Sequence, residues 1–235
     1  MNTIAGINGC KSGWFCIFEE LPARKLASKI FPSIADVAKH AQTIDIVAID
    51  VPIGLTDRGP RACDVAARTI LGAKRASSVF PAPIRPALSA ATYEDACARS
   101  FEAQGKKLPK QSWAIYPKIR QLDELLRSRP ELCERIFEVH PEVSFCAWNA
   151  MQPIVEPKRK APGAEKRRVL IDAHFGPDAF DTVRSRYQKK DVADDDIYDA
   201  FAALWTAERI LRREFGTLPG EPEKDSAGLP MRMIY

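Results

Sequence analysis

Apolar residues dominate Thr3 to Asn8 and again Trp14 to Glu19, and the interval between them begins and ends with glycine (Gly9, Gly13). Two such runs around a glycine turn predict a hairpin. Leu26 to Phe31 predicts a third strand. Helical spacing follows, with Ser33 placed as N-cap of a short helix over Ile34 to Ala41 whose apolar face is Ile34, Val37 and Ala38. Ile44 to Asp50 is a near-continuous β-branched run of the kind buried on both faces of a sheet. Pro52 and Gly54 end it.

From there the pattern is mostly helical. Helices are predicted over Ala62 to Leu71, Tyr93 to Gln104 and Trp113 to Arg129, with a proline-rich loop from Phe80 to Pro86. Glu134 to Val139 is again strand-like, and Pro141 opens a helix running to Trp148. Positive charge and proline interrupt residues 153–168. Helices are then predicted over Ala164 to Ala173, Pro177 to Lys189 and Asp195 to Phe215, and a last strand over Leu229 to Tyr235. Hairpin strands followed by strand–helix alternation predict one α/β domain, a mixed five-stranded sheet flanked by helices. The residues from about 51 to 133 form a mostly helical insertion within it.

Composition narrows the class further. The 235 residues are 46% hydrophobic and 28% charged, an ordinary globular balance that excludes disordered and fibrous classes. A chain of this length buries roughly 70% of its unfolded surface, so it needs no disulfide to fold. The six cysteines are scattered without a CxxC pair, as expected of reduced thiols in a cytoplasmic protein. No apolar run approaches a membrane span and no signal peptide is visible, so no membrane partner is expected. The net charge of +4 is concentrated in residues 155–168, where six basic residues stand against two acidic ones. That loop serves either as a solvated segment or as a local nucleic-acid contact.

The densest chemistry is Asp191, Asp194, Asp195, Asp196 and Asp199. Acids in the first helical turn complement the free amides and the dipole, which accounts for Asp194 to Asp196. Asp199 lies beyond that turn and shares a helix side with Asp196. Two carboxylates at the rim of a packed interface repel unless a cation separates them, so the pair is a candidate metal site. Asp50 ends the most buried strand, where ligands of parallel sheets bind, although a turn role around Pro52 explains it equally well. Asn8 ends the first strand as an Asn-Gly pair, itself an ordinary turn signal. Glu138 and His140 share a strand face and are candidates for orienting water or for acid–base work. Glu142 suits the first turn of the next helix. Arg61, Arg68 and Arg75 in the insertion, with Lys11 after Asn8, are candidate phosphate-binding cations; a surface ion-pair row is the alternative for Arg61 and Arg68. The chain carries no GxxxxGK[ST], GxSxG or HExxH motif.

Gly6-Ile7-Asn8-Gly9-Cys10-Lys11-Ser12-Gly13-Trp14, the strand ending in Asp50 and the helix opening Asp196-Ile197-Tyr198-Asp199-Ala200 together resemble the ribonuclease-H-like nuclease superfamily. The last run is most similar to the Holliday-junction-resolvase branch. More closely, several ordered segments resemble the bacterial domain of unknown function 429 family, described as predicted nucleases of ribonuclease-H-like fold. They are Gly9 to Trp14, Asp50 to Gly54, Arg61 to Asp64, Ser77 to Pro83, Glu138 to Glu142 and the Asp196 to Ala207 helix.

The resemblance implies a ribonuclease-H-like sheet and a metal cluster formed by the first-strand position with Asp50, Asp196 and Asp199, holding Mg2+ or Mn2+. At the first-strand position the family pattern favours aspartate, and here it is Asn8, which offers one neutral oxygen where two-metal chemistry uses a bridging anion. A single metal, a compensating acid or lost catalysis each follows from that change. The expected function is therefore a divalent-metal-dependent nuclease or phosphodiesterase. The alternatives are a noncatalytic nucleic-acid or protein-binding module on a degenerate nuclease fold and a hydrolase of small phosphorylated ligands.

Overall fold

The computed structural model describes residues 2–235. β1 (Asn2–Cys10) and β2 (Gly13–Leu21) form the expected hairpin, and β3 (Lys25–Phe31) pairs antiparallel with β2. Gly13 starts β2 at φ +136°, and a Cβ there would stand 2.2 Å from the carbonyl oxygen of Phe31, so only glycine lets β2 and the end of β3 close. Ser33 caps α1 (Ile34–His40), its hydroxyl accepting from the Asp36 amide.

β4 (Ile46–Ile49) and β5 (Ile136–Glu138) add to the free side of β1 in parallel. The five-stranded mixed sheet has the order β3-β2-β1-β4-β5. Between β4 and β5 lies the helical insertion, with α2 (Ala62–Arg75), α3 (Tyr93–Gln104) and α4 (Lys110–Ser128). After β5 come α5 (Pro141–Trp148), α6 (Ala161–Phe175), α7 (Ala179–Arg184) and α8 (Asp194–Arg212).

Layers cover both faces of the sheet. On one, Trp14, Phe31 and Val47 pack with Val37 of α1 and with Ile119 and Leu122 of α4. On the other, Phe15, Ile17 and Ala48 pack against Phe201 and Leu204 of α8, with Phe145 of α5 beside them. α8 is buried from Ile197 through Glu208 and lies directly on β1. At Gly6 an added Cβ would meet the Ala200 carbonyl oxygen and the Leu204 amide nitrogen, both at 2.2 Å. The close approach is thus made by Ala200 and Leu204 over a glycine. Thr206 reaches α5, where its hydroxyl donates to Ser144 Oγ at 2.9 Å.

Several boundaries differ from the sequence pattern for local reasons. α7 stops at Arg184, well before Lys189, and the Arg184 guanidinium holds the segment that follows through the carbonyl oxygens of Tyr187 and Val192. α8 stops at Arg212 because Arg213 adopts φ +61°, a left-handed terminus. α6 begins at Ala161, inside the segment expected to be irregular. A second, two-stranded sheet pairs β6 (Thr217–Lys224) with β7 (Pro230–Ile234), and a bridge from Ile234 to Val139 extends it toward β5. β6, with two prolines and no alternation, has no strand signature in the sequence. Among the described residues no helix is long and apolar enough to cross a membrane. All six cysteines are free.

Candidate functional site

The parallel pairing of β1 and β4 brings their C-terminal ends side by side, Ile7 opposite Ile49. Asp50, the first residue beyond β4, therefore lies beside Asn8, which does not end β1 as expected but stays paired with Phe15 of β2, and the Asp50 amide donates to the Ile7 carbonyl oxygen at 2.9 Å. α8, seated on β1 through Gly6, adds Asp199 above the same edge. A cavity of about 570 Å3 opens there, between the sheet ends, the insertion and the segment before α6. Its lining includes Asn8, Asp50, Glu138, His140, Lys158 and Asp199, so residues far apart in sequence meet in one place.

Asp50 and Asp199 form its acidic side. Asp199 is only 5% exposed. The Lys158 ammonium donates to its Oδ2, while Oδ1 is buried without a hydrogen-bond partner. Burial pushes its carboxyl up to about 6 against the opposing pull of Lys158. Burial, with the Asp199 charge added, holds Asp50 well above the usual carboxylate range, again opposed by Lys158. Asp196, expected beside them, does not line the cavity. Its Oδ2 accepts from the Ala193 amide at 2.9 Å, half of a capping box, and its Oδ1 accepts from Asn8 Nδ2 at 3.1 Å. Both oxygens are engaged in closing the helix terminus and holding Asn8. Helical spacing places both acids on one side, but the tight first turn bends Asp196 back to the backbone.

Glu138 also lines the cavity but is committed to the protein. Its Oε1 accepts from Arg61 Nη2 at 2.6 Å, and its Oε2 accepts from Arg61 Nη1 at 2.8 Å and from the Ile53 amide at 2.6 Å. Arg61 is not a free phosphate-binding cation. It is 3% exposed and also donates to both oxygens of Asp64 and to the carbonyl oxygens of Ile53 and Gly54. This buried cluster clamps the turn that follows Asp50. Cys63, Asp64 and Glu138 could together hold a metal ion by their spacing, yet the Arg61 guanidinium already occupies both carboxylates.

Of the other expected phosphate ligands, Arg68 does not line the cavity; its Nε and Nη2 donate to the carbonyl oxygen of the lining residue Val79 at 3.1 and 2.8 Å. Lys11 is exposed in the β1–β2 turn and lines nothing. Arg75 does line the cavity. It pairs with Glu142 Oε2 at 3.0 Å, and its Nε is buried without a partner. Glu142 is more than a first-turn acid, because the fully buried Arg167 grips both its oxygens at 2.9 and 2.6 Å. Burial alone would raise Glu142, but Arg167, Arg75 and Lys158 outweigh it and hold it below the usual range. Two guanidinium ions on one carboxylate leave that side of the cavity net positive. His140 stands between the two sides, Nε2 3.2 Å from the Ser78 carbonyl oxygen and Nδ1 buried without a partner. Burial lowers its pKa, so the ring is neutral.

Lys158, Lys118 and Arg167 have no distinctive sequence signal. Lys158 belongs to the basic run that reads either as a solvated segment or as a nucleic-acid contact, and Lys118 sits on an ordinary helix. Lys118 fits against Gly9, where a Cβ would collide with its side chain at 2.8 Å, and it donates to the Gly13 carbonyl oxygen at 2.5 Å.

The architecture is an α/β fold with a five-stranded mixed sheet whose strand ends carry a bipolar cavity. The chain belongs to the family described as protein of unknown function, DUF429, which it matches over residues 6–224. No curated protein and no solved structure matches it.

Proposed function

We propose that this protein is a divalent-metal-dependent phosphoester hydrolase on a ribonuclease-H-like sheet, acting with one principal cation. The observation that carries this reading is the convergence of Asp50 and Asp199 in one cavity, with Asp199 Oδ1 buried and unpartnered. A buried acceptor without a donor is costly and calls for a partner. The donor set fits a hard cation: Asp50, Asp199 Oδ1 and the Asn8 carbonyl oxygen, whose own amide group is turned to Asp196. An all-oxygen set without thiolate or imidazole suits Mg2+ or Mn2+. With Asn8 neutral and Asp196 engaged, the charge present supports one ion rather than a bridged pair.

When bound, such a cation supplies Lewis-acid polarisation of a phosphoryl oxygen and an acidified water. The remaining roles fall to the chain itself. Arg75, backed by Glu142 and Arg167, presents positive charge to the substrate anion opposite the carboxylates. Lys158 neutralises Asp199 in the absence of other cations and is within reach to accompany developing negative charge. Neutral His140 can accept a proton at Nδ1 or relay one from water. Glu138 acts on none of the reacting atoms; with Arg61 it fixes the turn beyond Asp50.

A second reading is favoured by one feature. Lys158 already sits on Asp199, as a built-in counter-ion would in a binding module that has lost catalysis. Turnover separates the two readings. Under the first, a chromogenic phosphodiester is hydrolysed only with Mg2+ or Mn2+, and Asp199→Asn lowers kcat by at least about 100-fold with the fold intact. Absent turnover in the wild type, with the ligand still bound, leaves the binding module, and metal-independent turnover overturns the role of the cation.

A further inference from the structure

Phe80 is 48% exposed, and Ile115 on α4 is 36% exposed; both line the cavity that holds Asp50 and Asp199. Single exposed apolar residues are common and need no explanation. Phe80 differs because the backbone on both sides of it is held by side chains. His140 Nε2 lies 3.2 Å from the Ser78 carbonyl oxygen. Arg68 donates twice to the Val79 carbonyl oxygen, and Ser112 Oγ donates to that of Pro81 at 2.6 Å. Pro81 and Pro83 further restrict the chain. Val79 beside it is buried at 3%. Side chains thus tether the backbone on both sides of Phe80, while Phe80 itself is about half exposed at the cavity.

The cavity thus has an acidic side, a basic side and an apolar wall ending in an exposed aromatic ring on a tethered backbone. Its volume of about 570 Å3 lies inside the roughly 300–1,000 Å3 of sites that enclose a whole small molecule. One phosphate and one cation would fill only a fraction of that space. The ligand must place an anionic group toward Arg75 and the carboxylates and a flat apolar group toward Phe80. Aromatic side chains held rigidly at a charged groove are stacking platforms for bases, since every base has a π face.

We propose that the cavity binds a nucleotide, its phosphate against Arg75 and the Asp50–Asp199 side and its base stacked on Phe80. The inference rests on the phosphoester reading of the same cavity, but it does not require hydrolysis. A free mononucleotide and the terminal nucleotide of a single strand share this chemistry.

Calorimetric titration in Mg2+ tests it, with nucleoside 5′-monophosphates, ribose 5-phosphate and a short single-stranded oligonucleotide as probes. The wild type binds the monophosphates about tenfold or more tighter than ribose 5-phosphate. Phe80→Ala abolishes that ratio while leaving ribose 5-phosphate affinity unchanged, and Phe80→Trp restores it. Tighter binding of the oligonucleotide assigns the site to a strand end, and tighter binding of the monophosphates assigns it to free nucleotides; either supports the base stack. Equal affinity for ribose 5-phosphate and the monophosphates in the wild type, a ratio that survives Phe80→Ala, or no binding of any probe overturns it. Base-selective binding without turnover sinks the hydrolase alone, and turnover without base selectivity sinks the stack alone.

Discussion

Lys158, partly exposed, and the buried Arg61 show how differently two cations serve one cavity. Arg61 spends every donor on the protein, so Arg61→Met leaves Glu138 and Asp64 buried without a counter-ion. That loss costs about 3–5 kcal/mol, measured as a lower urea midpoint at unchanged slope. Lys158 has a single carboxylate partner and is replaceable by another cation. Lys158→Met is therefore expected to bind Mn2+ about tenfold tighter than the wild type, read by titration calorimetry, because the competing ammonium is gone. Weaker binding would make Lys158 a support of the ion rather than its stand-in. At this scale Asp50, Asp199 and Arg75 were legible in the sequence as chemistry-bearing groups. The engagement of Arg61 and Asp196 was not, because a side chain's partners depend on what the fold brings against it. The Glu138 carboxylate that neutralises Arg61 is 77 residues away.

Among the elements, the seat of α8 on β1 decides where Asp199 stands. Gly6 permits it, and Gly6→Ala forces the helix backbone outward, since the new methyl would meet Ala200 and Leu204 backbone atoms at 2.2 Å. The expected destabilisation is about 1–3 kcal/mol or more by chemical denaturation, with metal affinity falling as Asp199 moves. Unchanged affinity in a folded Gly6→Ala protein would detach the site from this helix seat. The strands and the long helices follow their hydrophobic periods, so the pattern alone locates most of them. β6 escapes because Pro219, Gly220 and Pro222 suppress every strand signal; pairing with β7 and packing against α2 hold it instead. The segment that follows α7 is held by a single side chain, Arg184, which no periodicity reveals.

Across the whole molecule, charge is arranged in separate buried networks on different sides of the fold. Besides the cavity there is a cluster around Glu208, whose carboxylate takes Arg24 Nη1 at 2.9 Å, Arg212 Nη2 at 2.5 Å and His174 Nε2 at 2.6 Å. Burial would raise Glu208, but the hydrogen bonds from His174 and Arg24 outweigh it and hold the carboxyl at about 2. A carboxyl lower in the folded state than its ordinary 4.5 stabilises the fold above that value, and the contribution disappears as pH falls toward 2. Glu208→Gln is expected to be less stable than the wild type at pH 7 and to converge with it near pH 2. A constant difference across that range would contradict the assignment. The helices between β4 and β5 are readable from the pattern. The bipolar character of the cavity is not, since the near-even spread of charge outside residues 155–168 hides which charges meet.

Mn2+ soaked into crystals at neutral pH and located by its anomalous scattering tests the central claim most directly. The account predicts one principal peak in the cavity, about 2.0–2.3 Å from an oxygen of both Asp50 and Asp199, lost in Asp199→Asn. No peak there, or a peak only at Cys63, Asp64 and Glu138 with Arg61 displaced, would contradict it.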